Sequence, residues 1–113
     1  MNSTSVKKNV ALISTRPYEK NILLIKELEG TNISLLNYPL TEIKPSKDYA
    51  KFDSLLNNLK NYQHVIFIST NAVHFFVERF KSLAIKLPNH IIFSSIGPTT
   101  QKALEKKFNI NVY

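Results

Sequence analysis

The stretch His64–Val73, H-V-I-F-I-S-T-N-A-V, decides the fold. Its first half is a short run of β-branched and aromatic residues, the pattern of a strand buried in a sheet. Ser69, Thr70 and Asn71 then break the run with small polar side chains of the kind that open a helix. From Val73 the apolar positions change period: Val73, Phe76, Val77 and Phe80 recur at helical spacing. A strand, a hydroxyl-rich turn and a helix in immediate succession form the first half of a β-α-β unit, which requires a parallel sheet.

The neighbouring segments extend this pattern. Upstream, Phe52, Leu55, Leu56 and Leu59 are spaced i, i+3, i+4, i+7 and predict another helix. Downstream, Pro88-Asn89 reads as a turn and His90–Ser94 as a strand ending at Ile96-Gly97-Pro98. Thr99–Lys107 follows as a basic helix with Ala103 and Leu104 inward, and Asn109–Tyr113 begins one more strand. Nearer the N-terminus, Val10–Ser14 predicts a strand buried on both faces. Thr15-Arg16-Pro17 then opens a helix carrying Ile22, Ile25 and Leu28; Gly30 stops it and Ile33–Tyr38 returns as a strand. Residues 1–8 are polar and expected to fray. Pro39–Lys47 holds two prolines and no helical period, and is the expected hinge.

Ligands of parallel α/β sheets sit beyond the carboxyl ends of the strands. Three loops leave those ends: Ser14–Arg16, Ser69–Asn71 and Ser94–Thr100. Each is rich in hydroxyls and small residues, and each is expected to open a helix. A helix N-terminus offers unpaired N–H groups and partial positive charge, so three on one border make an anion-binding mouth. The competing reading is that Thr15, Thr70 or Asn71, and Thr99 only cap their own helices, a role worth about 1 kcal/mol each.

Composition narrows the chemistry. The 113 residues, 43% apolar and 20% charged, suit one packed domain. The absence of cysteine excludes disulfides, thiolate metal sites and a cysteine nucleophile. His64, His74 and His90 are too scattered for a metal motif, and no metal site is expected. With only Gly30 and Gly97, neither a P-loop nor a dinucleotide fingerprint exists. The longest apolar run, Val65–Ile68, is too short to cross a bilayer, and no signal peptide is evident; a cytoplasmic protein without membrane contact is expected. The net charge of +7 favours anionic partners. Thirteen of the 15 basic residues are lysine, spread along the chain with no long block, beside 12 asparagines and 12 isoleucines, which reads as compositional drift. Clustered arginines and a polar stacking face are lacking, so nucleic acid is not an expected partner.

Four segments, in order, resemble the uroporphyrinogen-III synthase family. Val10–Pro17 (V-A-L-I-S-T-R-P) is similar to its opening strand and T-R-P turn. Asn37–Pro45 resembles its proline-bearing hinge, His64–Val73 its T-S-x-N-A-V type turn, and Ile96–Thr100 (I-G-P-T-T) its G-x-x-T turn. The resemblance implies an α/β fold of flavodoxin-like, parallel-sheet units. An N-terminal β-α-β fragment of one lobe (9–38) is followed by a hinge (39–47) and a partial second lobe (48–113).

The activity implied is cyclisation of the linear tetrapyrrole hydroxymethylbilane, with loss of water and inversion of the last pyrrole ring, in porphyrin and heme biosynthesis. It implies no metal and no organic cofactor. Carried over by position, substrate contacts fall to Thr15, Arg16 and Pro17, to Ser69, Thr70, Asn71 and Ala72, and to Gly97 and Thr100; no catalytic residue is assigned. Family members run to roughly twice this length, as two lobes require. The sequence is therefore expected to be a truncated or N-terminal part with impaired activity, loosely packed in its first unit and self-associating through exposed strand edges. The alternative is a non-catalytic flavodoxin-like module that binds an anionic ligand or a partner chain.

Overall fold

The computed structural model describes residues 10–108. The expected frayed start at 1–8 and the expected strand at Asn109–Tyr113 lie outside the described residues. The chain divides into two compact units, Met1–Lys44 and Pro45–Tyr113. The fold is α/β with parallel strands in each unit.

In the first unit, β1 (Val10–Ser14) pairs in parallel with β2 (Ile33–Asn37), with Val10 opposite Ile33 and Ser14 opposite Asn37. Between them run a 3-10 turn, Tyr18–Asn21, and the short helix α1, Ile22–Glu27. The T-R-P segment therefore does not open the helix as expected. Pro17 has an extended backbone and precedes the 3-10 turn, whose start has no side-chain cap, so Thr15 caps nothing. Gly30 does end the helix: its φ of +76° is left-handed, the conformation glycine adopts without strain.

The expectation that Val10–Ser14 is buried on both faces fails. Val10 and Ile13 are more than half exposed, and only Ser14 is buried. One short helix with no buried residue of its own cannot cover two strands, let alone both faces of the sheet.

The second unit holds the hydrophobic core. α2 (Ala50–Asn57) and a 3-10 turn (Leu59–Asn61) lead into β3 (His64–Phe67), α3 (Thr70–Ser82), β4 (Ile92–Ser95) and α4 (Pro98–Phe108). β3 and β4 pair in parallel, with His64 opposite Ile92 and Phe67 opposite Ser95. Val73, Phe76, Val77 and Phe80 form the buried face of α3, as their spacing predicts. They pack with Leu56, Leu59, Phe67, Phe93 and Leu104. Phe76 is the hub, with ring centroids of Phe67, Phe80 and Phe93 at 5.1, 5.8 and 6.2 Å.

Several boundaries depart from the sequence reading. The helical stripe through Leu59 is interrupted, because α2 ends at Asn57 and Leu59 reaches the core from the 3-10 turn. β4 starts at Ile92, two residues after His90, which lies in a turn where the Pro88 carbonyl accepts from the Ile91 amide. α4 starts at Pro98, a residue suited to the first helical position because the missing N–H has no partner to lose there. α3 ends without glycine: Ala84, just past its C-terminus, holds a left-handed φ of 50°.

Candidate functional site

The second unit brings two of the predicted turns to one border. β3 and β4 are adjacent and parallel, so the chain leaves both at the same carboxyl edge. Ile96 N–H donates to the Phe67 carbonyl at 3.3 Å and extends the pairing one rung towards the turns. From there Ser69–Ala72 opens α3 and Gly97–Thr100 opens α4. The two helices are 13 and 11 residues long, each with a fully developed N-terminal dipole.

The first turn is capped by Ser69, not by Thr70 or Asn71 as expected. The Ser69 backbone is extended and its Oγ accepts from the Ala72 amide at 3.1 Å. An N-cap must have non-helical backbone, and Thr70 is already helical. Ser69, Thr70, Asn71 and Ala72 are all half-buried. At the second turn, the Gln101 amide donates to the Gly97 carbonyl at 3.0 Å, closing the first helical turn of α4. Thr99 is exposed and Thr100 is buried. Gly97 has open space around it: a Cβ placed there meets no atom within 4 Å. Its φ is not left-handed either, so neither crowding nor backbone strain calls for glycine at this position.

The third turn, Thr15–Pro17, belongs to the first unit. Thr15 and Arg16 are exposed and Pro17 is half-buried. Arg16 forms no ion pair among the described residues. The backbone here is tied down: the Leu40 amide donates to the Thr15 carbonyl and the Lys20 amide to the Pro17 carbonyl, both at 3.0 Å.

Sequence reasoning missed a polar cluster at this end of the sheet. Ser14 Oγ donates to Asn21 Oδ1 at 2.8 Å, and Asn21 Nδ2 donates to Asn37 Oδ1 at 2.7 Å. Its signal was that β1 and β2 both close on a small polar residue, with an asparagine at the foot of α1 to join them.

The described residues contain no group of three or more His, Asp or Glu side chains able to hold a metal ion. His64 opens β3 and is exposed. His74 lies 3.5 Å from Glu78 on the open face of α3, and His90 Nε2 lies 3.0 Å from the Tyr62 carbonyl. The strongest charge pair, Arg79 with Asp53, joins α3 to α2. The guanidinium holds the Asp53 carboxyl below its ordinary value by hydrogen bonding, and in return the carboxylate raises Arg79.

Comparison with known families fixes the kinship. The family model described as uroporphyrinogen-III synthase HemD matches residues 23–112. The chain belongs to the uroporphyrinogen-III synthase family. The match spans Pro39–Lys47 and both turns of the second unit, while the T-R-P segment precedes it. Membership in the uroporphyrinogen-III synthase family carries a role in tetrapyrrole biosynthesis and a small tetrapyrrole as the molecule acted on. No curated protein matches the chain. No helix among the described residues is long and apolar enough to cross a membrane.

Proposed function

We propose that the chain is a cytoplasmic uroporphyrinogen-III synthase that binds hydroxymethylbilane and closes it with inversion of the last ring. The observation that carries this reading is the shared border in the second unit, where two turns leave adjacent strands and each opens a helix. The substrate carries acetate and propionate arms. Backbone N–H groups at a helix start bind carboxylates without a charged side chain. We assign the arms to Ser69, Thr70, Asn71 and Ala72, and to Gly97 and Thr100. The open space at Gly97 lets a ligand reach the backbone there. Thr15, Arg16 and Pro17 form the contribution of a first lobe, 9–38. Residues 39–47 act as the hinge and 48–113 as the second lobe. Arg16 is the one guanidinium at these turns and suits a carboxylate clamp.

The chemistry asks mainly for positioning. The terminal hydroxymethyl carbon loses its oxygen as water once a proton is supplied, leaving an azafulvene cation. The substituted carbon of the last ring then attacks this electrophilic carbon, giving a spiro-pyrrolenine. The older bond from the spiro carbon to the preceding bridge then breaks, and that bridge bonds the free α-carbon on the other side of the ring nitrogen. The ring is thereby inverted, and loss of the proton on that α-carbon restores aromaticity. A bound conformation that presents the substituted carbon selects this path over direct closure to the type I isomer. Backbone dipoles that hold the carboxylates fix that conformation. The exposed edges of the two-stranded sheets also favour self-association.

The test supplies hydroxymethylbilane and separates the oxidised products by chromatography. Type III isomer above the spontaneous background is the expected result. Type I alone at the uncatalysed rate overturns the catalytic reading. If porphyrin fluorescence is then still quenched, the chain is a binder without turnover.

A further inference from the structure

Ser14 and Asn21 are the only buried residues between Val10 and Lys44, and both are polar. Among the described residues, the interior of the first unit is thus a hydrogen-bonded cluster, with no buried apolar side chain at its centre. Asn21 is fully buried, and its amide spans the last rung of the ladder, accepting from Ser14 on β1 and donating to Asn37 on β2. Three stretches of backbone diverge from this point. Thr15–Pro17 leaves β1, the 3-10 turn climbs to α1, and Tyr38–Leu40 leaves β2 towards the hinge. The outgoing stretches are also laced together, because the Tyr38 amide donates to the Ser14 carbonyl at 2.8 Å and the Leu40 amide to the Thr15 carbonyl at 3.0 Å.

We infer that Asn21 is the positioning residue of the Thr15–Pro17 turn. Through Ser14 and Asn37 it sets the path of the backbone leaving β1 and of the connector leaving β2. This assignment rests on the reading of Thr15–Pro17 as part of the substrate-binding surface and adds the residue that shapes it. An apolar pin would not serve as well. The side-chain amide offers one acceptor and two donors in fixed directions, so it orients two strand ends as well as filling space. Satisfied buried polar groups of this kind specify one geometry, since each misplaced partner is left unpaired away from water.

The experiment uses the full chain and amide hydrogen exchange resolved by residue. Asn21→Leu keeps the branching and heavy-atom count of the side chain and removes both hydrogen bonds. Leu24→Ala is the comparison, a loss of apolar contact on α1 that leaves the cluster intact. Asn21→Leu is expected to speed exchange at Tyr38 and Leu40 at least tenfold relative to the amides of the β1–β2 ladder. Leu24→Ala is expected to move both sets together. Binding of uroporphyrin, an octacarboxylate tetrapyrrole followed by its fluorescence, is expected to weaken severalfold in Asn21→Leu. Equal acceleration of all first-unit amides in Asn21→Leu, or none, overturns the assignment, because a purely structural role does no more than that. A native chain that fails to bind uroporphyrin overturns the substrate-surface reading alone, and the exchange ratio still decides the role of Asn21.

Discussion

Arg79 and Asp53 meet as a fork across α3 and α2. Arg79 Nε donates to Asp53 Oδ1 at 2.7 Å and Nη2 donates to Oδ2. The guanidinium also lies over the Tyr49 ring, 4.7 Å from its centroid. One side chain on α3 therefore holds both the start and the middle of α2.

This pair makes stability depend on pH in a definite direction. The Arg79 hydrogen bonds, opposed by burial and assisted by the Arg79 charge, lower the Asp53 pKa from 3.8. A carboxyl lowered by folding stabilises above its unfolded value and loses that contribution as the pH falls through its folded value. Asp53→Asn is expected to lower the melting temperature at pH 7. The gap to the native chain should close as the pH falls below 3.8. Thermal denaturation of both proteins from pH 7 to pH 2 measures it; a gap that is constant with pH removes the charge from the account.

Ala84 stores strain at the end of α3. A left-handed alanine costs roughly 1–2 kcal/mol, which glycine avoids at some cost in unfolded-state entropy. Ala84→Gly is expected to stabilise the second unit by about 0.5–1 kcal/mol, raising the melting temperature by several degrees. A fall in melting temperature would show that the end of the helix is not set by this backbone.

The core of the second unit was legible because its period is unambiguous. Val73, Phe76, Val77 and Phe80 can be placed together only by a helix, and the run from Val65 to Phe67 suits a strand. What the pattern did not carry was the partner set. The apolar run at Val10–Ile13 looks like a fully buried strand, but burial needs covering elements, and α1 is too short to cover it. Capping was misassigned for a related reason. Ser69, Thr70 and Asn71 are all competent caps, and the choice falls to the one residue that keeps an extended backbone. Phe75 is only half-buried, since the buried stripe of α3 passes through its neighbour Phe76. The Ser14–Asn21–Asn37 cluster was invisible because it joins residues whose meeting depends on strand register.

Among the described residues, the sheet of the second unit is covered on one face only. Phe67 and Phe93 turn into the core, while Ile66, Ile68, Ile92 and Ile96 are all exposed, Ile68 and Ile96 by nearly three quarters. Parallel sheets are normally buried on both faces, and an exposed isoleucine surface favours association. Sedimentation is expected to show a weight-average mass that rises with concentration and persists at high salt. Ile66→Lys with Ile68→Lys should hold the chain at monomer mass. Association that salt abolishes would point to charge instead.

Fold and function can be separated at the two turns of the second unit. Gly97 has neither a left-handed backbone nor a crowded surrounding, so Gly97→Ala costs the fold little. The loss of a better helix cap is offset by the stiffer unfolded chain, and stability should stay within about 1 kcal/mol of native. If a carboxylate arm approaches the backbone here, the added methyl lies in its path, and uroporphyrin affinity should fall severalfold. Ser69→Asp makes the converse case. Aspartate accepts from the Ala72 amide as serine does and complements the helix dipole, so the melting temperature should hold or rise. The same negative charge repels an anionic ligand, so affinity should fall by at least tenfold. Ser69→Ala should instead cost about 1 kcal/mol of stability through the lost cap. Fluorescence titration beside thermal denaturation reads both quantities for each variant. Affinity that tracks stability across the three would mean that these turns serve the fold alone.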